Sequence, residues 1–160
     1  MAVLATGNQD DALDIVQDGM LDFVRSYAKR PATEWRTLFF RVLQSRIIDW
    51  HRRSLVRNRL RKWFGRDGED GEDASESLEE LADPRGETPA SLLMNRELGL
   101  RLEQAIRRLP LRQQQAFLLR AWEGMDVAET ARAMGCSDGS VKTHYSRAVT
   151  ALRDLLKEFR

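Results

Sequence analysis

Apolar residues recur at three- and four-residue steps through most of this chain, and strict alternation is convincing nowhere. The pattern predicts an all-α fold. In DDALDIVQDGMLDFVRSY, residues Leu13, Val16, Met20, Phe23 and Tyr27 fall on one helical face. Asn8, Asp10 and Asp11 put capping groups and negative charge where a helix N-terminus favours both. KRPAT then interrupts the pattern: Pro31 ends one helix and Thr33 can cap the next. The long helical stretch EWRTLFFRVLQSRIIDWHRRSLVRNRLRKWF follows, with a break expected near Ser54 and with Leu38, Val42 and Ile48 turned to a core. Farther on, SLLMNRELGLRLEQAIRRL gathers Leu98, Leu102, Ala105 and Leu109 on one face. Pro110 breaks that helix and suits the start of LRQQQAFLLRAWEG, which Gly124 ends.

The last two helical patterns lie close together. Ala131, Gly135 and Val141 stand at relative positions 0, +4 and +10, the arrangement a helix-turn-helix needs. A small residue lets the second helix approach, a glycine permits a left-handed turn, and a β-branched apolar residue anchors the second helix. Ser137 or Asp138 can cap that helix, whose outward residues are then Gly139, Ser140, Lys142, Thr143, Ser146 and Arg147. Short hydroxyls with Lys and Arg suit phosphates and base edges in a DNA major groove. An ordinary helical hairpin with a polar face fits the same stretch.

Charge changes the picture more than composition does. The formal net charge is +1, yet it is arranged in blocks. Residues 1–28 hold five Asp and one Arg; residues 29–66 hold twelve Lys or Arg against Glu34 and Asp49. Residues 67–89 hold ten acids against Arg85, and residues 90–160 hold twelve basic residues against eight acids. Blocks of opposite sign imply separate surfaces with separate partners. The stretch 65–91, rich in Gly, Asp, Glu and Ser with two prolines, reads as a flexible acidic linker, and alternatively as a nucleic-acid mimic that fills a basic groove. Two small helical modules, 1–64 and 92–160, flank it.

Trp35, Phe39, Phe40, Trp50, Trp63 and Phe64 are interleaved with the basic run, a mixture that suits single-stranded nucleic acid. Phe39, Phe40 and Trp50 also serve as core side chains of a small bundle, the reading favoured for each individually. No apolar run approaches a membrane span, and no secretory signal is visible, so the expected location is the cytoplasm. Cys136 is the only cysteine, and His51 and His144 stand far apart, which argues against a disulfide or a metal cage. No glycine loop for phosphates and no nucleophile–base pair points to an enzyme or to a cofactor. Cys136 in the turn is read as a filler residue rather than a redox sensor.

Several segments resemble one family. DALDIVQDGMLDFV is similar to the helix of region 2 in bacterial RNA polymerase sigma factors of the extracytoplasmic-function (ECF) group. FFRVLQSRIIDWHRR resembles the promoter-melting helix that follows it, and AIRRLPLRQQQAFLLRAWEGMDVAETARAMGCSDGSVKTHYSRAVTALRDLL resembles region 4. The resemblance covers about residues 10–64 and 96–156. It implies a sigma region 2-like bundle and a sigma region 4-like helix-turn-helix. It also implies that Asp14, Gln17 and Asp18 dock on the β′ coiled coil of core RNA polymerase, with the β subunit as a further contact. Lys29, Arg30, Arg41, Gln44, Arg46 and Arg53 are implied to capture and open the −10 element of promoter DNA. Ser140, Lys142, Thr143, Ser146 and Arg147 are implied to read the −35 element as duplex. An anti-sigma factor is a further implied partner, and no membrane insertion is expected.

The family usually places another helix before this region 2 segment; MAVLAT is read as its final turn. Ser45 stands where the family often has Asn, and Gln114 where Arg is common. Two other functions fit parts of the chain. A one-component regulator would use the helix-turn-helix alone, with Val141, Tyr145, Ala148, Leu152 and Leu155 as a dimer seam. An interaction adaptor would bind no DNA at all.

Overall fold

The computed structural model describes residues 1–63 and 89–157, with side chains described for 1–59 and 96–157. Almost all of the expected linker, 65–91, therefore lies outside the described residues, as do the side chains of Trp63 and Phe64. Seven α-helices and one π-helical turn make up the described residues, which contain no strand. Helix α1 (Ala2–Thr6) stops at Gly7, whose φ of 74° is left-handed. Asn8 caps α2 (Gln9–Tyr27) by accepting the Asp11 N–H at 3.0 Å. Helix α3 (Ala32–Trp63) starts just after Pro31 and continues through Ser54 without the expected break.

Helix α2 presents a different face from the one its apolar spacing suggested. Ala12, Ile15 and Gly19 are the buried residues, whereas Leu13 is 61% exposed and Met20 55%. The reason is close approach. Two small residues let the α2 backbone lie against α3, and Leu43 Cδ1 stands 3.9 Å from where a Gly19 Cβ would be. A large side chain at position 12 or 19 would hold the helices apart, so the buried stripe carries one large residue, Ile15, between two small ones. On α3 the deepest positions are Leu43, Gln44 and Ile47; the expected Leu38, Val42 and Ile48 are only half-buried. Phe23 packs edge-on to Phe39, with ring centroids 6.0 Å apart, and both Phe39 and Phe40 join the core.

The second half comprises α4 (Pro89–Arg107), α5 (Leu111–Phe117), the π turn (Leu118–Trp122), α6 (Val127–Met134) and α7 (Asp138–Lys157). Helix α4 thus begins at Pro89, inside the stretch read as linker. Ala105 and Ile106 of α4, and Leu109 just after it, pack with Leu118, Ala148 and Leu152, while Leu98 stays 58% exposed. A second cluster joins Ala116, Leu119, Met125, Ala131, Ala133, Met134 and Val141. The π turn widens the backbone: the Glu123 N–H reaches Leu118 O at 2.9 Å and the Met125 N–H reaches Leu119 O at 3.0 Å. Gly124, with φ of 66°, then reverses the chain.

The two halves touch. Met1 packs against all three core clusters, and Phe40 of α3 packs against the cluster around Val141. Buried Gln114 donates through Nε2 to Leu4 O at 3.2 Å and to Ile106 O at 3.1 Å, so it binds the first helix rather than facing DNA. Arg36 donates to Glu123 O, and its Nη2 lies 3.7 Å from the Glu123 carboxylate. The sequence suggested loosely tethered modules because nothing in its periodicity reports contacts between distant segments.

Candidate nucleic-acid interface

Helices α6 and α7 form the helix-turn-helix. Asp126 and Glu129 make a reciprocal capping box at the start of α6: Asp126 Oδ1 accepts the Glu129 N–H at 2.7 Å, and Glu129 Oε2 accepts the Asp126 N–H at 2.9 Å. Gly135 has φ 62°, and the Cys136 N–H returns to Ala131 O at 3.1 Å, which closes the helix end. Ser137 caps the next helix, its Oγ accepting the Ser140 N–H at 3.2 Å. Ala131 and Val141 are buried against each other's cluster, as the spacing required. Arg112 fixes the first helix by donating to Met134 O at 3.0 Å. Arg120 lies 5.8 Å from the Tyr145 ring centroid and also donates to Met125 O.

The outer face of α7 keeps Lys142, Thr143, Ser146 and Arg147 exposed, with Ser140 half-buried at the turn. Lys142 and Arg147 make no ion pair among the described residues. Ser140 shares a 2.9 Å hydrogen bond with Ser137 Oγ, and Thr143 Oγ1 donates to Gly139 O at 2.9 Å. Their hydroxyls therefore have local partners, while the two cations point outward. Cys136 is half-buried in the turn, and burial pushes its thiol pKa up, the reverse of an activated thiolate.

The basic residues on and before α3 divide into three environments. Lys29, Arg41 and Arg53 are exposed. Arg30 donates to Glu34 at 2.7 Å and 3.1 Å, and its carbonyl accepts the Trp35 Nε1–H at 2.8 Å, giving the Lys29–Thr33 loop a fixed shape. Arg46 turns back onto α2, where Asp22 accepts from Nε at 2.7 Å. Gln44 departs from expectation. It is 1% exposed and donates to Met1 Sδ at 2.8 Å, because α1 lies over this part of α3; in this arrangement it cannot contact DNA.

Asp14, Gln17 and Asp18 project into solvent from α2. Leu13, Met20, Leu21 and Val24 are exposed beside them, a mixed acidic and apolar face. The helical spacing grouped Leu13 and Met20 with Val16, Phe23 and Tyr27, which are half-buried; the small residues Ala12 and Gly19 mark where the helix is buried most deeply. Asp14 and Asp18 also line an open groove of about 440 Å³ with Asp11, Arg46, Arg53 and Arg57. Asp14 and Asp18 of the expected docking set thus share one groove with Arg46 and Arg53, whereas Gln17 and the α7 face lie outside its lining. Among the described residues no group of His, Cys, Asp and Glu could hold a metal, and no helix is long and apolar enough to cross a membrane.

A family model described as Sigma-70, region 4 matches residues 99–152. The ECF RNA polymerase sigma factor BldN of Streptomyces coelicolor is 47% identical over 57 residues, which is 36% of this chain and 22% of that protein. The RNA polymerase sigma-E factor of Streptomyces antibioticus is 30% identical over 148 residues, covering 92% of this chain and 71% of that protein. The chain belongs to the ECF RNA polymerase sigma factors. These are initiation factors that direct RNA polymerase to promoters. The sigma fold extends over both halves. The structure of the sigma factor RpoE in complex with the anti-sigma factor NepR from Bartonella quintana has a TM-score of 0.63 and 23% identity, covering 99% of this chain and 89% of that one. The helix-turn-helix of this sigma factor, α6 and most of α7, lies within the region 4 match.

Proposed function

We propose that residues 1–64 dock on core polymerase and engage the −10 element, and that residues 92–160 read the −35 element as duplex, the acidic stretch 65–91 joining them. The observation that carries the docking assignment is the outer face of α2. Four large apolar side chains, Leu13, Met20, Leu21 and Val24, stand in solvent beside Asp14, Gln17 and Asp18. A contiguous exposed apolar patch is costly unless a partner covers it. Acids around its rim select a basic partner surface, the chemistry of a charged polymerase helix pair.

On the DNA side, Lys142, Ser146 and Arg147 would enter the major groove, with Ser140 and Thr143 close to the backbone. Lys29, Arg30, Arg41 and Arg53 supply cations for the −10 strands. The factor performs no chemistry of its own in this scheme, acts in the cytoplasm and needs no cofactor. An anti-sigma factor is a fitting antagonist, since the RpoE chain that shares this fold was captured with one.

The deciding experiment adds the purified chain to core polymerase and maps transcription start sites. A defined start that depends on this chain supports the proposal. Asp14→Ala with Gln17→Ala, and separately Leu13→Ser, should raise the chain concentration needed for half-maximal initiation by about tenfold, the cost of roughly 1.4 kcal/mol of lost docking. Unchanged titrations for both variants would refute the docking face. Protection of a palindrome by the chain without polymerase would instead favour a one-component regulator.

A further inference from the structure

Whereas Arg36, also ion-paired on α3, reaches Glu123, Arg46 is held on α2. Its Nε and Nη2 both donate to Oδ2 of Asp22 on α2, the first at 2.7 Å, and its Nη1 lies 4.0 Å from Oδ2 of Asp18. Its side chain is 29% exposed and that of Asp22 is 34% exposed, so water is partly excluded from the pair. Arg41, Arg52 and Arg53 stand exposed on the same helix, and none makes an ion pair among the described residues. The neighbourhood is also acidic: the fields of Asp18 and Asp49 add to that of Asp22 around the guanidinium. A DNA phosphate would have to displace a charge-assisted double hydrogen bond before it could take this arginine.

We propose that Asp22 is a positioning residue that withdraws Arg46 from promoter DNA and seats it on the docking side of α2, beside Asp18. The inference rests on the proposed division between docking and −10 surfaces and corrects the assignment of Arg46 within it. Two consequences follow from the geometry. The guanidinium partly neutralises the exposed Asp18 carboxylate, so the docking face has an acidic part around Asp14 and a balanced part around Asp18. The −10 surface holds one cation fewer than a count of its arginines gives.

The counterion relation makes this measurable. Each phosphate neutralised on a single strand steepens the plot of log Kobs against log salt by about 0.7. Holoenzyme assembled from core polymerase and the full chain is titrated with a labelled single-stranded −10 oligonucleotide over a range of salt concentrations. Arg46→Gln should leave the wild-type slope unchanged. Asp22→Asn should steepen it by about 0.7, because the released guanidinium joins the DNA contacts. The double variant Asp22→Asn with Arg46→Gln should return to the wild-type slope, and Asp22→Glu should keep it.

A slope shallower by about 0.7 in Arg46→Gln alone would overturn the proposal, since Arg46 would then already be holding a phosphate. An unchanged slope in Asp22→Asn would overturn it equally. The Arg46→Gln comparison decides even if Asp22→Asn fails to fold. A wild-type holoenzyme with no salt-dependent hold on the strand is a separate outcome: it removes the −10 assignment itself, and this proposal with it.

Discussion

Replacing Val141 by Ala tests whether the second helix of the helix-turn-helix is anchored as described. Val141 is fully buried in the cluster of Ala116, Leu119, Met125, Ala131, Ala133 and Met134. The substitution removes two methyl groups. At about 0.8 kcal/mol for each, transfer alone costs roughly 1.6 kcal/mol. Residual cavity adds to this at about 24 cal/mol per Å³. With partial collapse of the surrounding side chains, a total near 2 kcal/mol is expected. Ser146→Ala, on the exposed side of the same helix, removes a polar atom with no buried neighbour and should change stability by less than about 0.5 kcal/mol. Urea denaturation followed by circular dichroism at 222 nm is the assay. With a slope near 2 kcal/mol/M, the Val141→Ala midpoint should fall by about 1 M and that of Ser146→Ala should stay in place. Equal midpoints for Val141→Ala and wild type would refute the reasoning, because α7 would then be held by something other than this cluster.

Three further outcomes are expected. Gly135→Ala should cost about 1 kcal/mol in the same denaturation assay, since the Cβ meets open space but the φ of 62° is unfavourable for Ala; Gly135→Asn should cost less. Burial holds the His51 pKa below its ordinary 6.5, with the backbone of Ala5 opposing the shift. The unfolded chain therefore binds the proton more readily, and stability should decline as pH falls below about 6.5; His51→Gln should flatten that part of the pH–stability curve. Arg147→Ala should weaken holoenzyme binding to −35 duplex and lower its salt slope by about 0.9, with initiation at the mapped start reduced accordingly.

Most helix boundaries were legible because prolines, glycines and caps punctuate this chain strongly, although the break expected near Ser54 is absent. Pro31, Pro110, Gly124 and Gly135 each stand at a helix boundary or turn. The helix-turn-helix was legible for a related reason: the Ala131, Gly135 and Val141 spacing expresses a close approach, a left-handed turn and an anchor in three residues. Helix faces were harder to read. Along α2 the buried stripe is Ala12, Ile15 and Gly19, whereas Leu13, Met20, Leu21 and Val24 lie outside it, so ranking residues by hydrophobicity alone did not find the buried face. Gln44 and Gln114 misled in the opposite direction. Gln44 was implied to contact the −10 element and Gln114 stands where the family commonly has Arg, yet each is buried, Gln44 against Met1 and Gln114 against Leu4 of α1. Such contacts join residues more than forty positions apart, and no local pattern encodes them. The Asp22 clamp on Arg46 escaped notice for the same reason, although it spans only α2 and α3.

The placement of Met1 gives the shortest helix a disproportionate role. One side chain borders all three clusters and, with Phe40 and the Gln114–Leu4 hydrogen bond, ties the described halves together, so loosening at this point is shared between them. Melting of the described halves becomes a common event, visible as one calorimetric peak in place of two.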